Sequence, residues 1–322
     1  MSLESSKLVT VFGGSGFLGR HVVQALARRG YRVRVACRRP DLAGHLQPLG
    51  NVGQIKAVQA NLRYRWSVDR AVEGADVVIN LVAILFESGR QKFDAVHDFG
   101  ARAVAEASRA AGARLIHVSA IGAEEDATSD YARTKALGEK AVLDTVRDAV
   151  IFRPSIMFGP EDGFFNKFAD LARFSPALPL IGGGRTKFQP VYVGDVAEAI
   201  ARAVDGGAKP GTIYELGGPQ VLSFRECMEK MLEVTGRKRW LVNLPFGIAR
   251  LKARFLQLLP NPLLTVDQVT LLESDNVVSD AASGDKRTLT GLGIAPHTLD
   301  AILPSYLWRY REAGQFTANK PA

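Results

Sequence analysis

The chain has 322 residues, 47% of them hydrophobic, and its 41 Lys and Arg outnumber 33 Asp and Glu to give a net charge of +8. Such a chain can bury a sizeable core in one large domain or in a domain with a lobe. Two cysteines without CxxC spacing and five scattered histidines predict neither a disulfide framework nor a metal site. No apolar run approaches the roughly 18 residues of a membrane-spanning helix, so no transmembrane segment is predicted.

The positive charge allows nucleic acid, an anionic membrane or protein surface, or an anionic cofactor as partner. No nucleic-acid-binding signature accompanies the charge, so we expect no nucleic acid partner. The chain enters a predicted strand at residue 7, which predicts no secretory signal. With the unpaired cysteines, this favours a cytoplasmic location, with peripheral attachment to the inner face of the plasma membrane as a further option.

The first half of the chain alternates β-rich runs with helical segments. We predict strands at 7–12, 31–36, 55–60, 76–83, 114–120 and 149–154, and helices at 16–29, 93–111 and 131–144. Continuous Val/Ile runs separated by helices are typical of a parallel sheet that is covered on both faces. The predicted fold class is therefore α/β: a doubly wound parallel Rossmann sheet with a smaller C-terminal lobe.

The second half has a looser pattern. Gly- and Pro-rich stretches such as 176–186 alternate with helices and one more predicted strand at 190–195, and 245–274 predicts two short helices. We therefore assign residues 1–155 to a nucleotide-binding core, to which the chain returns at about 187–216. Residues 156–322 are assigned to a smaller lobe for substrate or for interactions.

The stretch "TVFGGSGFLGRHVV" (10–23) reads as a strand, a glycine turn and the start of a helix. Gly13, Gly16 and Gly19 have GxxGxxG spacing. Glycine allows the tight turn, the close approach of a pyrophosphate and the packing of helix against strand. The helix amino terminus then faces the diphosphate, so the motif predicts a dinucleotide site.

The end of the second predicted strand indicates which dinucleotide is bound. NAD sites place an Asp or Glu there for the ribose 2′-hydroxyl, whereas this chain has Cys37 followed by Arg38 and Arg39. A guanidinium group suits a phosphate, so the pattern favours NADP(H). We expect Arg38 to meet the 2′-phosphate more than Arg39, which a solvated surface position would also explain.

Motifs along nearly the whole chain resemble the extended short-chain dehydrogenase/reductase family. They are the glycine turn, "NLVA" at 80–83, YxxxK at 131–135, "FRPSIMFGP" at 152–160 and "PVYVGDVAEAI" at 190–200. Within it the chain looks most like an atypical branch that contains the nucleotide-binding accessory subunit of respiratory complex I (NADH:ubiquinone oxidoreductase). This resemblance implies bound NADPH, complex I subunits as partners and a role in assembling or stabilising the complex.

The same resemblance implies a set of cofactor-binding residues. Carried over, Gly13, Ser15, Gly16, Phe17 and Leu18 would hold the pyrophosphate and Arg38 the 2′-phosphate, with Arg39 beside it. The remaining positions would line the path of the adenosine and the nicotinamide: Asn61, Leu62, Leu81, Val82, Ala83, Ser119, Tyr131, Lys135, Pro154, Ser155 and Ile156. His97 falls where many relatives have Asn, and a helix residue bonded to a neighbouring carbonyl explains it equally.

Tyr131 and Lys135 are the candidate catalytic pair. Four positions apart on a helix they share a face, and the lysine charge favours the phenolate that would exchange a proton with a carbonyl or alcohol. The chemistry usually needs a third, hydroxyl-bearing residue, and that position falls on Ile121. Two hypotheses stay open: an accessory subunit that only binds NADP(H), and an active NADP(H)-dependent oxidoreductase or epimerase acting on a small carbonyl, nucleotide-sugar or quinone-related substrate.

Residues 245–260 predict an amphipathic basic helix. Its apolar positions alternate with Arg250, Lys252 and Arg254. Such a helix suits an anionic membrane face or a partner subunit. A helix that packs on its own lobe with its arginines in water is the alternative.

Overall fold

The structure, a computed structural model, describes residues 7–260 and 262–312. Its strands are β1 (Leu8–Phe12), β2 (Arg32–Cys37), β3 (Ile55–Gln59), β4 (Val77–Asn80), β5 (Arg114–Val118), β6 (Val150–Pro154), β7 (Met157–Phe158), β8 (Ala177–Ile181), β9 (Lys187–Phe188), β10 (Val191–Tyr192), β11 (Ile213–Leu216), β12 (Leu222–Ser223) and β13 (Trp240–Leu244). Its helices are α1 (Phe17–Arg28), α2 (Arg65–Val72), α3 (Phe99–Ala110), α4 (Asp130–Thr145), α5 (Phe165–Phe174), α6 (Val193–Val204), α7 (Phe224–Thr235), α8 (Phe246–Leu256), α9 (Val266–Leu271), α10 (Asp280–Gly284) and α11 (Leu299–Leu307). None of these helices is long and apolar enough to cross a bilayer.

The described chain forms two compact units. The first comprises residues 7–154, 194–216 and 279–294, and the second comprises 155–193, 217–260, 262–278 and 295–312. The chain thus returns to the first unit at 194, where we expected about 187, and it returns again at 279–294, which we did not predict. The short strands β9 and β10 pair with β12 and β7, which keeps 187–192 in the second unit. Residues 313–322 of the predicted lobe lie outside the described residues.

The first unit is built on a seven-stranded sheet in the order β11-β6-β5-β4-β1-β2-β3. All six neighbouring pairs are parallel. The chain runs outward from β1 to β3 and then restarts at β4 on the other side of β1, which creates the switch point where α/β proteins of this kind bind ligands. The doubly wound fold class is therefore confirmed. The seventh strand is β11, and the predicted strand at 190–195 shrinks to the two residues of β10.

The second unit has its own aromatic core. Buried side chains of α5, α7, α11 and β8 pack together there, among them Phe165, Phe224 and Leu303. Within the Gly- and Pro-rich stretch 176–186, where we predicted no strand, residues 177–181 form β8 and pair in parallel with β13. The two short helices predicted within 245–274 are confirmed as α8 and α9.

Candidate functional site

The glycine turn joins β1 to α1 at the switch point of the sheet. Gly13 has φ +78°, a left-handed conformation that favours glycine, and its N–H donates to the Ala36 carbonyl at 3.2 Å. A Cβ on Gly13 would lie 3.3 Å from the backbone nitrogen of Val82. Gly16 precedes α1 without any side-chain cap. The amino end of α1 is therefore free of a side-chain cap, as a pyrophosphate site requires.

Gly19 holds the helix against this turn. A Cβ on Gly19 would lie 2.3 Å from the Gly13 carbonyl oxygen and 2.6 Å from the Cα of Gly14. No larger residue fits there unless the backbone moves. The close contact of α1 with the glycine turn thus maintains the shape of the turn. The resulting cradle of backbone atoms fits a dinucleotide.

The two arginines that follow β2, Arg38 and Arg39, have different hydrogen-bond partners. The exposed Arg38 donates from Nη1 to Gln91 Oε1 at 2.6 Å. Arg39 pairs with Asp41 at 2.8 Å, and this bond raises the pKa of the Arg39 guanidinium. Asp41 therefore already neutralises Arg39 locally, while the acceptor of Arg38 is an uncharged amide.

Gln91 belongs to a tight hairpin at 88–91. The first and last residues of the hairpin exchange backbone hydrogen bonds of 3.1 and 2.9 Å. Besides the Arg38 bond to Gln91, the Arg90 carbonyl accepts a hydrogen bond from Arg63 Nη1 at 3.3 Å. Two guanidinium groups, one after β2 and one after β3, thus meet adjacent residues of one hairpin. No sequence pattern indicated this role of Gln91.

The two residues expected beside the adenine follow β3. The Asn61 backbone N–H donates to Ser67 Oγ at 3.0 Å, and its side-chain oxygen accepts from the Arg63 N–H at 3.2 Å. Leu62 is buried in the core between the sheet and its helices. Asn61 thus stabilises the loop after β3 through its hydrogen bonds, and Leu62 anchors that loop in the core.

The segment Leu81–Ala83 lies beyond β4, so the predicted strand at 76–83 is too long. Asn80 Oδ1 accepts from the Val82 N–H at 3.2 Å and turns the chain at this point. The Leu81 N–H still donates to the Phe12 carbonyl at 3.0 Å. This turn brings the segment against the backbone of the glycine turn.

Tyr131 and Lys135 share a face of α4 but differ in surroundings. Ser129 caps the helix, accepting from the Ala132 N–H at 3.2 Å. The half-buried Tyr131 ring meets the His97 ring edge-on at 5.3 Å. Lys135 is buried, and its Nζ donates to the Val118 carbonyl, the last of β5, at 2.7 Å.

Burial governs the charge of Lys135. It lowers the pKa of the Lys135 ammonium to about 8, and the nearby Glu139 carboxylate opposes this shift. Glu139 itself is held by Arg153 Nε and Nη2 at 2.9 and 2.6 Å. The Lys135 ammonium is therefore shielded from solvent but surrounded by polar groups, and it donates a hydrogen bond to a strand carbonyl.

His97 lies in a π-helical turn at Asp94–Asp98, just before α3. Its Nε2 accepts from the Ile84 N–H at 3.1 Å, and its Nδ1 lies 3.1 Å from Thr134 Oγ1. Burial, followed by the charge of Lys135, lowers the His97 pKa to about 3, so the ring is neutral and we assign its proton to Nδ1. The alternative explanation of His97, a bond to a neighbouring carbonyl, is wrong: the Ile84 amide and the Thr134 hydroxyl hold the ring.

Two further polar side chains at the strand ends, Asn80 and His117, were not predicted as site residues. Asn80 Nδ2 lies 3.2 Å from Nδ1 of the buried His117, and burial holds the His117 pKa well below its usual value. Ser119, just past β5, is buried, and its Oγ has no hydrogen-bond partner among the described residues. An orphaned hydroxyl at the switch-point edge fits a polar group of a bound ligand.

An aliphatic side chain, that of Ile121, occupies the position expected for the third catalytic group. The Ile121 N–H donates to the Pro154 carbonyl at 3.1 Å, and its side chain carries no hydrogen-bonding group. Ser155 and Ile156 belong to the second unit. There Asn276 Oδ1 accepts from Ser155 Oγ at 2.7 Å and from the Ile156 N–H at 3.2 Å.

Comparison with known proteins places this architecture. Residues 9–217 match the NAD dependent epimerase/dehydratase family. The chain belongs to that family. It is 38% identical over 97% of its length, and over 80% of the relative, to "NADH dehydrogenase [ubiquinone] 1 alpha subcomplex subunit 9, mitochondrial" of Arabidopsis thaliana. It is also 33% identical to the "Ceramide reductase" of Caulobacter vibrioides over 76% of each chain.

The fold of this NAD dependent epimerase/dehydratase family member also matches solved structures. One is the UDP-glucose 4-epimerase of Thermus thermophilus in complex with NAD, with TM-score 0.69 and 23% identity over 95% of this chain and 99% of that one. Family membership supports a nicotinamide nucleotide as the cofactor, and the glycine cradle after β1 and the orphaned Ser119 hydroxyl after β5 fit such a ligand. Within the described residues, no group of three His, Cys, Asp or Glu could hold a metal ion.

Proposed function

We propose that this protein is an NADP(H)-binding accessory subunit of respiratory complex I, in which the nucleotide is held tightly for structure or assembly. The observation that carries the proposal is the likeness to the alpha subcomplex subunit 9 proteins over nearly the whole chain. A likeness that extends beyond the nucleotide-binding unit favours a shared assembly role over a shared cofactor alone.

The side chains around the nicotinamide end support binding without turnover. Ile121 cannot donate a hydrogen bond to a substrate oxygen. The His97 ring is engaged by the Ile84 N–H and by Thr134. Lys135 already donates to a strand carbonyl, which leaves its other two N–H groups for the ribose hydroxyls. These residues would hold a nicotinamide ribose, and the hydroxyl that would orient a reacting carbonyl is replaced by hydrocarbon.

The preference for NADP(H) is part of the same proposal. Arg38 follows β2 where an acid would bind a 2′-hydroxyl, and it is oriented by the neutral Gln91. Arg63 reaches the same hairpin from the loop after β3. Two guanidinium groups at this edge favour a 2′-phosphate over a 2′-hydroxyl. We further propose that the protein resides on the cytoplasmic side of the membrane that holds the complex.

Co-purification tests the proposal. A tagged chain is expressed in its own host, complex I is purified from detergent-solubilised membranes, and bound nucleotide is extracted and identified. We expect the chain to migrate with the complex and to carry NADPH that remains reduced. A chain that migrates apart from the complex under mild detergent contradicts the assembly role, and extracted NAD contradicts the cofactor preference.

The second candidate function is an NADP(H)-dependent carbonyl reductase. The intact Tyr131–Lys135 pair and the likeness to a ceramide reductase favour it. It predicts steady oxidation of NADPH by the purified chain with some ketone from a panel of lipid, quinone-related and nucleotide-sugar carbonyls. Activity that disappears in Tyr131→Phe would support this function. No activity in the wild type, with measurable turnover gained in Ile121→Ser, would support the accessory role.

A further inference from the structure

One segment of the second unit combines strong positive charge with exposed apolar side chains. Residues 237–266 contain six basic residues and no Asp or Glu. The segment includes β13 and α8, and it ends at the start of α9. A stretch of 30 residues without one acid is unusual in a chain in which 33 of 322 residues are acidic.

Helix α8 has two apolar stripes of opposite character. Its buried stripe consists of small residues, Ala249 and Ala253, which pack against Val269 of α9 and Ile181. Three of its large side chains face the other way: Ile248, Leu251 and Phe255, spaced at three and four residues, are 50%, 56% and 68% exposed. The helix therefore packs on its own unit through two alanines and Phe246, and it presents these three bulky residues outward.

The exposed stripe continues past the end of α8. Leu258, Leu259 and Leu263 are 79%, 50% and 58% exposed. On the preceding strand β13, Trp240 and Val242 lie two positions apart and therefore on the same face, and they are 76% and 52% exposed. An ordinary protein surface exposes large hydrophobic residues one at a time. Several of them close together in the chain therefore indicate an interaction site.

Basic residues lie on both sides of this stripe. At 3.6 residues per turn, Arg250 and Arg254 fall on one side of the line through Leu251 and Phe255, and Lys252 falls on the other. All three are exposed. Arg250 pairs with Glu273 at 2.6 Å, which leaves Lys252 and Arg254 as the cations for which no acidic partner is recorded within the described residues.

We propose that this basic apolar face, formed by α8 with the exposed Leu258, Leu259 and Leu263 that follow it, rests on an anionic phospholipid bilayer. Bulky apolar side chains between rows of Lys and Arg are the pattern of a helix that lies in the membrane interface. The exposed Trp240 of the preceding strand is a residue type that fits the level of the lipid head groups. Protein interfaces are enriched in arginine but depleted of lysine, so Lys252 beside the apolar stripe is the cation that favours a lipid over a protein partner.

Vesicle flotation tests the proposal on the full-length chain. The probes are vesicles of phosphatidylcholine alone and of phosphatidylcholine with phosphatidylglycerol. We expect flotation with the anionic vesicles, at least tenfold weaker binding to the neutral ones, and weakening by salt. A wild-type chain that stays at the bottom with both vesicles overturns the proposal.

Two variants separate the apolar from the charged contribution. Leu251→Glu/Phe255→Glu should abolish flotation, whereas Leu42→Glu, at a similarly exposed leucine of the first unit, should not. Lys252→Gln/Arg254→Gln should weaken binding to anionic vesicles by about fivefold per charge and leave the weak binding to neutral vesicles unchanged. Wild-type flotation of the Leu251→Glu/Phe255→Glu variant would contradict the assignment of this face.

This inference is independent of the proposed function, because vesicle binding is measured on the isolated chain. A chain that floats but does not co-purify with complex I loses the accessory role and retains the lipid-facing surface. A chain that co-purifies but never floats, and is released from the complex by Leu251→Glu/Phe255→Glu, uses this face for a protein subunit, which overturns the lipid assignment.

Discussion

The adenosine side and the nicotinamide side of the site are built by different means. The first is mostly backbone, with Gly13 at φ +78°, Gly19 pressed on the turn, and an uncapped helix end. The second is a set of buried polar side chains, among them His97 and Lys135. A backbone cradle serves any protein that binds a dinucleotide, whereas a side-chain set determines whether the bound nucleotide reacts.

The difference explains how one fold can keep its cofactor and lose its reaction. Replacing one side chain, such as a hydroxyl by Ile121, removes a catalytic contact and leaves the cradle intact. Replacing a glycine of the turn removes binding itself. Substitutions on the two sides should therefore differ in their effects on nucleotide binding, stability and cofactor choice.

The largest effect is expected at Gly19. In Gly19→Ala the new Cβ would overlap the Gly13 carbonyl oxygen, so α1 must move away from the turn. We expect NADPH affinity to fall by more than about 100-fold and the unfolding midpoint to drop, since overpacking costs about 1–3 kcal/mol or more. Fluorescence titration and thermal denaturation measure the two. Gly44→Ala, where a Cβ meets open space, is the control, and equal behaviour of both variants would refute the packing argument.

On the nicotinamide side, Lys135 should make stability depend on pH. Its folded pKa of about 8 lies below the ordinary lysine value of 10.5, so the unfolded chain binds more protons between these pH values. The free energy of unfolding contributed by this residue therefore rises with pH across that window, by roughly 3 kcal/mol. Denaturant unfolding of the apo protein at several pH values should show this rise in the wild type and not in Lys135→Met.

Lys140→Met, on the exposed face of the same helix, is the matched control for that experiment. It should keep the wild-type pH dependence. A rise of similar size in Lys135→Met would mean that another group titrates in this window, and the buried ammonium would then not be its source.

Much of the adenosine side was accessible from the sequence, and little of the nicotinamide side was. The GxxGxxG spacing predicts a turn that the backbone of Gly13 and Gly19 then forms, because glycine spacing is local information. The bonds of Lys135 to Val118 and of His97 to Ile84 join residues 17 and 13 positions apart, across different elements. Sequence patterns predict which elements form but not which acceptor a long side chain selects.

Cofactor choice should change at Arg38. Arg38→Asp replaces a phosphate-binding guanidinium by a carboxylate that repels the 2′-phosphate. Because a charge-assisted hydrogen bond contributes about 1.5–3 kcal/mol, NADPH affinity should fall by roughly 10- to 100-fold and NADH affinity should change little. Titrations with both nucleotides measure this. Arg109→Asp, at an exposed arginine at the end of α3, is the control, and an equal loss for both nucleotides would contradict the 2′-phosphate assignment.

The smallest effect is expected at Gln91, which touches the site through Arg38. Gln91→Leu removes the acceptor at 2.6 Å that orients the guanidinium, and the arginine remains present but less fixed. Because this exposed bond acts on the phosphate only by orienting Arg38, its loss should cost about 1 kcal/mol, and the ratio of NADPH to NADH affinity should fall by roughly fivefold. In Arg38→Asp/Gln91→Leu the second change should have no further effect, because its only route to the phosphate is gone. Additive losses in the double variant would show that the hairpin meets the nucleotide directly, and a single loss would establish Gln91 as a positioning residue.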